Sequence, residues 1–434
     1  MKTPQPVGST ERVLLVGVGL KRGPRLPGLA ASDYERERLE ELHELARSAG
    51  AQVAGSVVQM REDLDPASLV GRGKLDEIRA EALSHRAGVV IFDRNLSPGQ
   101  QRNIEKSLDC RVLDRTQLIL DIFARHARTR EGMLQVELAQ LNYLLPRLAG
   151  RGVELSRLGG GIGTRGPGEQ KLETDRRRIR SRISKIRDEI ELVRRRRRVQ
   201  RSARRDIPLP SAALVGYTNA GKSTLFNALT RADVLTSPRM FATLDPTVRA
   251  VELPSGRRVL LSDTVGFIRD LPHGLIAAFR ATLEEAQEAA LILHVTDISS
   301  PNHPEQDAEV VKILDELGLA GRPRIHVLNK CDRLSEDQLA SLSSAQGVCA
   351  SALRGDGLRD LLQRIEAALP FEGLVRMQIE LPLEDGRTLA CLHARGRVFA
   401  SEVRDSHLWV DAEVPVSLAG QLKPAGARPQ RRGS

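Results

Sequence analysis

Three short stretches hold residue types at spacings that can do chemistry on a phosphorylated ligand. Gly216-x-x-x-x-Gly221-Lys222-Ser223 lies between the strand-like "AALVGY" and the helical pattern "TLFNAL". Glycines at these two positions let main-chain N–H groups close around a β-phosphate, and the start of the helix adds its dipole. Lys222 then faces the β/γ-phosphates, and the Ser223 hydroxyl is a ligand for Mg²⁺. Asp263-x-x-Gly266 ends the apolar run "VLLSD". Its carboxylate can hold a Mg²⁺ shell through water, and the Gly266 N–H can meet a γ-phosphate. Asn329-Lys330-Cys331-Asp332 ends "IHVLN". A carboxylate at Asp332 accepts from N1–H and N2–H₂ of guanine. Adenine cannot donate these hydrogen bonds and would leave the carboxylate unpaired at a cost.

Elements of the right kind stand at the right places to hold these loops. From Ser211 to about Leu369 strand and helix patterns alternate, as a doubly wound parallel sheet requires. Residues 12–115 alternate in the same way: "RVLLVGVG" reads as a strand and "YERERLEELHELARSAG" as an amphipathic helix ending at Gly50. There follow the strand "AQVAGSVVQM", a helix from about Lys74, "VVIFD", a helix opened by Ser97-Pro98 and "CRVLD". From Thr116 to Leu148 apolar residues recur at three- and four-residue spacing, and they do so again from Glu169 through Ile179, Ile183, Ile186, Ile190 and Val193. Glycines between the two stretches predict a long helical hairpin with a glycine-rich loop. The expected organisation is a small α/β domain (1–115), the hairpin (116–205), a nucleotide-binding α/β domain (206–370) and a small α+β domain (371–434) whose tail is disordered.

Composition narrows the classes. The chain has 434 residues, 41% hydrophobic and 28% charged, within the ordinary range for globular domains. Neither an apolar run of about 20 residues nor a signal-peptide pattern is present, and four scattered cysteines suggest no disulfide framework or zinc site. The net charge of +10 is unevenly placed: residues 151–205 hold 17 Arg and 2 Lys against 7 acids, or +12, leaving about −2 elsewhere. Five consecutive cations at Arg194, Arg195, Arg196, Arg197 and Arg198 exceed one helical turn, without i, i+4 acids to relieve them. Arg165 in the glycine loop and Arg176, Arg177, Arg178 and Arg180 extend the cationic surface. Arginine suits bidentate phosphate contact, and the loop lacks aromatics, so structured RNA read by shape and phosphates is the expected partner. A solvated helix face is the plainer alternative.

The three phosphate and base motifs, in this order, resemble the G1, G3 and G4 elements of the GTPase family. The resemblance implies nucleotide contacts from Gly216, Tyr217, Thr218, Asn219, Ala220, Gly221, Lys222 and Ser223, and from Asp263, Thr264, Val265 and Gly266. It implies base contacts from Asn329, Lys330, Cys331 and Asp332, backed by Ser351, Ala352 and Leu353 in a G5-like loop. It also makes "RMFATLDPTVR" the first switch, with Phe241, Ala242, Thr243, Leu244 and Asp245 near the nucleotide and Thr243 closing on Mg²⁺ alongside Ser223 and, through water, Asp263. Thr247 competes for that role. Lys222, Thr243 and Gly266 would carry catalysis. Phe267 stands where many GTPases have a water-orienting Gln, which predicts slow intrinsic hydrolysis. Asn219 resembles the asparagine of potassium-stimulated GTPases that helps bind K⁺; a residue that merely tolerates the turn is the other reading.

"LDRTQLILDIFARHARTREGMLQVELAQLNYLLPRL", "GGGIGTRGPGEQKLETDRRRIRSRI" and "GYTNAGKST", with "GRGKLDEI" and "FDRNLSPGQQRNIEK" upstream, are similar to the HflX family of bacterial translational GTPases. The resemblance spans roughly residues 10–370. It implies a cytoplasmic, monomeric GTPase using Mg²⁺, exchanging GTP and GDP, and associated with the 50S ribosomal subunit and its 23S rRNA. Splitting or rescue of stalled ribosomes under stress, subunit biogenesis and a peripheral membrane location belong to the same expectation. The family also links its N-terminal region to ATP, so Gly71, Gly73 and Lys74 could hold a phosphate, with Arg102 and Lys106 nearby. ATP-dependent remodelling of rRNA is the alternative function, and a signalling switch without RNA is a third.

Overall fold

Short runs of Val, Ile and Leu form strands where both sheet faces can be covered, and the helices between them supply that cover. In the computed structural model, residues 11–21, 31–148, 167–204, 209–230, 240–241, 243, 246–269, 285–342, 347–371, 373–404, 407–422 and 428–429 are described. Two compact units result. The first is built from residues 1–194, 237–245 and 270–281, and the second from residues 195–236, 246–269 and 282–434.

In the first unit, β1 (Arg12–Leu20), β2 (Gln52–Arg61), β3 (Val89–Phe92) and β4 (Arg111–Asp114) form a parallel sheet in the order β2-β1-β3-β4. Helices α1 (Ala31–Ser48), α2 (Arg72–Ser84) and α3 (Pro98–Leu108) are the crossovers. Ser97 caps α3 in a capping box with Gln100, as the Ser-Pro start predicts. Leu14, Val16, Ile78, Val90, Phe92, Ile104 and Val112 fill the core. A charged network hidden from the sequence pattern lies under α1. Arg115, 2% exposed, donates to Asp93 at 2.9 Å and pairs with Glu41 at 3.0 Å, while Arg38 donates to Asp93 at 2.7 Å.

The helical stretch from Thr116 is not continuous. Helix α4 (Arg115–His126) ends at Ala127, and Thr129 caps a new helix, α5 (Arg130–Arg147). Helix α6 (Pro167–Arg204) returns along α5, and Leu134 packs with Ile186 and Ile190 between them. Arg182 grips Glu137 with two hydrogen bonds of 2.7 Å, and Arg130 donates to Glu189 at 2.9 Å. The apolar stripe is as expected, with Ile183, Ile186 and Ile190 buried. The glycine-rich loop, Arg165 included, lies outside the described residues.

In the second unit six strands run in the order β10-β9-β8-β5-β7-β6. They are β5 (Ser211–Gly216), β6 (Thr247–Glu252), β7 (Arg258–Asp263), β8 (Leu291–Asp297), β9 (Arg324–Asn329) and β10 (Val348–Cys349). All pairs are parallel except the edge pair β6–β7. Helices α7 (Lys222–Thr230), α8 (His303–Glu316) and α10 (Leu358–Ala368) accompany this sheet, with the short α9 (Glu336–Ser341) between α8 and α10. The three chemical motifs thus sit at the carboxyl ends of β5, β7 and β9, where an open parallel sheet binds its ligands. The C-terminal segment adds a separate antiparallel sheet in the order β12-β13-β11-β14, with α11 (Gly386–Arg395) and α12 (Val416–Leu422). Its strands are β11 (Leu374–Pro382), β12 (Arg397–Arg404), β13 (His407–Pro415) and β14 (Arg428–Pro429).

Candidate functional site

Strand β5 delivers the chain into a tight loop before α7, and two glycines make that loop possible. Gly216 has φ +156°, and a Cβ there would stand 2.1 Å from the Val295 carbonyl oxygen of the neighbouring strand. Gly221 has φ +89°, with Asn329 Nδ2 only 2.3 Å from the position of a Cβ. Between them Asn219 adopts a left-handed backbone at φ 61°, which its residue type tolerates. Lys222 is buried, and its Nζ donates to the carbonyls of Tyr217 (2.7 Å) and Gly216 (3.1 Å). Burial pulls its pKa down to about 8, while the Asp263 carboxylate pushes the other way. Such an ammonium gains most from a second anion.

Ser223 Oγ donates to Asp263 Oδ2 at 2.7 Å. This hydroxyl–carboxylate pair, fixed between the first turn of α7 and the end of β7, offers only oxygen and suits a hard cation such as Mg²⁺. Thr264 is buried and donates to the Leu214 carbonyl at 2.6 Å, and Val265 is buried beside it. Gly266 is needed for space: a Cβ there would come within 2.9 Å of Lys222 Nζ and of Thr218 Cα. Phe267 does not face the loop's ligand side as a free ring. It is 2% exposed, its carbonyl accepts from Thr218 N (2.7 Å) and its N–H donates to Gly216 (3.1 Å). Phe267 therefore holds the phosphate loop to the end of β7. Tyr217 adds a second tie, accepting from Arg269 N at 2.7 Å.

The base-side loops are joined to the phosphate loop by two side chains, Asn329 and Lys330. Asn329 Nδ2 donates to the Ala220 carbonyl (2.8 Å), and its Oδ1 accepts from Ala352 N (3.0 Å). Lys330 donates to the Asn219 carbonyl (2.7 Å) and pairs with Asp297 at 2.6 Å. Asp297 was missed by sequence reasoning, although it also ends a strand, β8. Cys331 is buried. Ser351 Oγ donates to Asp332 Oδ1 at 2.7 Å and holds that carboxyl below its usual range. Asp332 is thus an ionised acceptor oriented by a neighbour. Leu353 is 81% exposed and available to cover a flat ligand.

The first-switch residues divide. Phe241 and Thr243 belong to the first unit, where the Phe241 ring packs edge-on to Phe123 (centroids 4.5 Å apart) and Met240 N donates to Ser48 Oγ at 2.8 Å. Phe241 is 3% exposed, so its ring is committed to that packing. Ala242, Leu244 and Asp245 lie outside the described residues. Of the hairpin arginines, Arg177, Arg178, Arg180 and Arg195 are exposed, whereas Arg176 and Arg194 are half-buried. The expectation of an unrelieved run needs correction: Arg194 donates to Glu191, three residues away, at 2.8 Å, and the same Glu191 stands four residues before Arg195. The side chains of Arg196, Arg197 and Arg198 lie outside the described residues. In the N-terminal candidate phosphate site Lys74 instead pairs with Glu77 at 2.6 Å on its own helix, and Arg102 donates to the Pro98 carbonyl at 3.1 Å.

Comparison with known proteins agrees with this geometry. Residues 211–330 match the family described as "50S ribosome-binding GTPase", residues 36–124 match "GTP-binding GTPase N-terminal" and residues 126–204 match "GTP-binding GTPase Middle Region". A GTPase HflX of Caldanaerobacter subterraneus subsp. tengcongensis is 46% identical over 92% of this chain and 92% of its own length. The GTPase HflX of Escherichia coli is 42% identical over 89% of this chain and 90% of its own length. A sheet whose strand ends bring a lysine, a hydroxyl–carboxylate pair and an oriented base acceptor together is what these relatives' shared name requires, and the chain belongs to the HflX family of GTPases, enzymes that bind and hydrolyse GTP.

Proposed function

We propose that this GTPase acts on the 50S ribosomal subunit in the cytoplasm, with GTP gating its grip on structured rRNA and hydrolysis releasing it. The observation that carries this reading is the confinement of the basic excess to residues 151–205, most of it on α6, whose apolar stripe is already spent on α5. Exposed Arg177, Arg178, Arg180 and Arg195 are left for a polyanion. The printed description "50S ribosome-binding GTPase" of the family matched by residues 211–330 supports the same partner.

In this reading Lys222 neutralises β/γ-phosphate charge, and Gly266 brings its N–H to the γ-phosphate. Asp332 accepts from the guanine, and Leu353 covers the base. Mg²⁺, held by Ser223 with Asp263 behind it, supplies charge neutralisation at the phosphates. Thr243 is the switch threonine: Thr247 is fixed in the β6–β7 ladder opposite Asp263, whereas Thr243 precedes that strand. Phe267 cannot orient water, so the attacking water is placed by another group and intrinsic turnover is slow. Splitting or rescue of stalled ribosomes under stress is the cellular role proposed.

Co-sedimentation with 50S subunits tests the proposal, comparing a non-hydrolysable GTP analogue with GDP across a salt series. Binding that requires the analogue and falls steeply with salt supports it. Nucleotide-independent binding removes the gating, and absence of binding at moderate salt removes the ribosome as partner.

A further inference from the structure

Away from the nucleotide loops, strands β8 and β9 and helix α8 bring two imidazoles and a carboxylate together. His294 on β8 lies with Nε2 3.2 Å from Asp307 Oδ1, and His326 on β9 lies with Nε2 3.4 Å from Asp307 Oδ2. The three donor atoms all fall within 4.8 Å of one another. Three features make this more than a chance ion pair. First, His294 is 3% exposed, and its Nε2 faces the Asp307 carboxylate at 3.2 Å without the alignment of a good hydrogen bond. An enclosed ring nitrogen so poorly aligned with its neighbour is better satisfied by an ion that takes its lone pair. Second, Asp307 presents one oxygen to each imidazole, so one carboxylate stands between two ring nitrogens. Third, Thr296 Oγ1 lies 2.5 Å from Asp307 Oδ1 and 2.7 Å from His326 Nε2, an outer partner of the kind that fixes metal-binding carboxylates.

Distances and access also fit an ion. In a tetrahedral site with metal–ligand bonds of about 2.0–2.1 Å, neighbouring donor atoms stand about 3.3 Å apart. Each imidazole stands at this distance from its own carboxylate oxygen, His294 from Oδ1 at 3.2 Å and His326 from Oδ2 at 3.4 Å, so a turn of the Asp307 carboxylate has to offer one oxygen to both. The two rings are stacked, 4.8 Å between centroids at 22°, so the His–His separation has to close as well. His326 can close it by a side-chain rotation, because its side chain is 30% exposed. Asp307 is 20% exposed, so an ion can enter from that side and keep water in its fourth position.

We propose that His294, Asp307 and His326 form a binding site for a divalent transition ion of the zinc class, separate from the oxygen-only Ser223–Asp263 pair. Two imidazoles and one carboxylate select a borderline-soft ion over Mg²⁺. As the ion binds, any proton on the Nε2 of His294 or His326 leaves to solvent, His326 gives up its hydrogen bond to Thr296, and Thr296 keeps its bond to Asp307. The bound ion ties β8, β9 and α8 together just before Asp297, Asn329 and Lys330, all of which hold the base-side loops.

Co²⁺, which reports its coordination by visible absorption, is the probe. The full chain is stripped with chelator, kept free of nucleotide and titrated with Co²⁺, then with Zn²⁺ and with excess Mg²⁺ as competitors. The expected result is one Co²⁺ per chain, displaced by Zn²⁺ and not by Mg²⁺. His326→Gln and Asp307→Asn should each weaken binding at least about tenfold while circular dichroism stays unchanged. No Co²⁺ binding, or equal binding by the variants, would reduce the cluster to a hydrogen-bonded network and overturn the proposal. Where a variant does not fold, zinc-edge X-ray absorption of the unmodified protein decides: two imidazoles without sulfur support the site, and a sulfur ligand overturns it.

Discussion

Lys222 lets the electrostatics of the phosphate loop be measured as protons. Its ammonium is buried, bonded to two loop carbonyls, and held at a pKa of about 8 chiefly by loss of hydration. A bound β/γ-phosphate supplies the missing anion and raises that pKa to its ordinary value of 10.5 or above. The sign follows. A group whose pKa rises on binding takes up protons wherever pH exceeds the free value, and affinity must then fall as pH rises. With a free pKa of about 8, Lys222 is about one-quarter protonated at pH 8.5, so binding takes up about 0.75 proton there, against about 0.1 at pH 7. The same arithmetic makes GDP or GTP bind about tenfold more weakly at pH 9 than at pH 7, or about 1.4 kcal/mol. Calorimetric titration in two buffers of different ionisation enthalpy counts the protons directly. Lys222→Arg keeps the cation but does not titrate, so it reports what the guanine itself contributes. Equal uptake by both proteins at pH 8.5 would refute the account of Lys222.

Further outcomes follow from the same geometry. Gly216→Ala puts a Cβ 2.1 Å from the Val295 carbonyl, so the loop must open; nucleotide affinity in a filter or fluorescence assay should fall beyond detection while the first unit stays folded. Asp332→Asn replaces the acceptor that Ser351 orients, and GTP-over-ATP discrimination in competition binding should fall by roughly 10–100-fold, about 1.4–2.7 kcal/mol. Phe267→Gln should not accelerate single-turnover hydrolysis, because the position faces the core, and it should cost at least about 3 kcal/mol in urea unfolding. Reversing Arg177, Arg178 and Arg180 to Glu should weaken 50S binding and lower the slope of log affinity against log salt by about 3.

Local patterns carried much of this fold in the sequence. Alternating apolar runs located the strands, Ser97-Pro98 announced α3, and the Ile183–Ile186–Ile190 stripe found its partner on α5. Long-range pairings were not legible. Arg115 reads as an ordinary helix-start cation, and only the fold brings it to Asp93 and Glu41. Phe241 reads as a nucleotide neighbour by its motif, yet its ring is used against Phe123, over a hundred residues away. That Phe267 cannot hydrogen-bond water follows from its phenyl ring, while its role as a tie between loop and strand needed coordinates. The break at 127–129 had a local signal, Thr129 with Glu131 in the first turn, that the strong apolar periodicity on either side concealed.

Asn329 has a bearing on chemical ageing. Its amide nitrogen donates to Ala220 and its amide oxygen accepts from Ala352, so the residue is used in both polarities at once. Deamidation would replace the donor by a second carboxylate oxygen facing a carbonyl 2.8 Å away and would force the phosphate and base loops apart. At 1% exposure the amide is shielded from water in the folded chain. Damage at this atom would accumulate in molecules that have opened, and a stored preparation would divide into active and inert populations in proportion to the time spent unfolded.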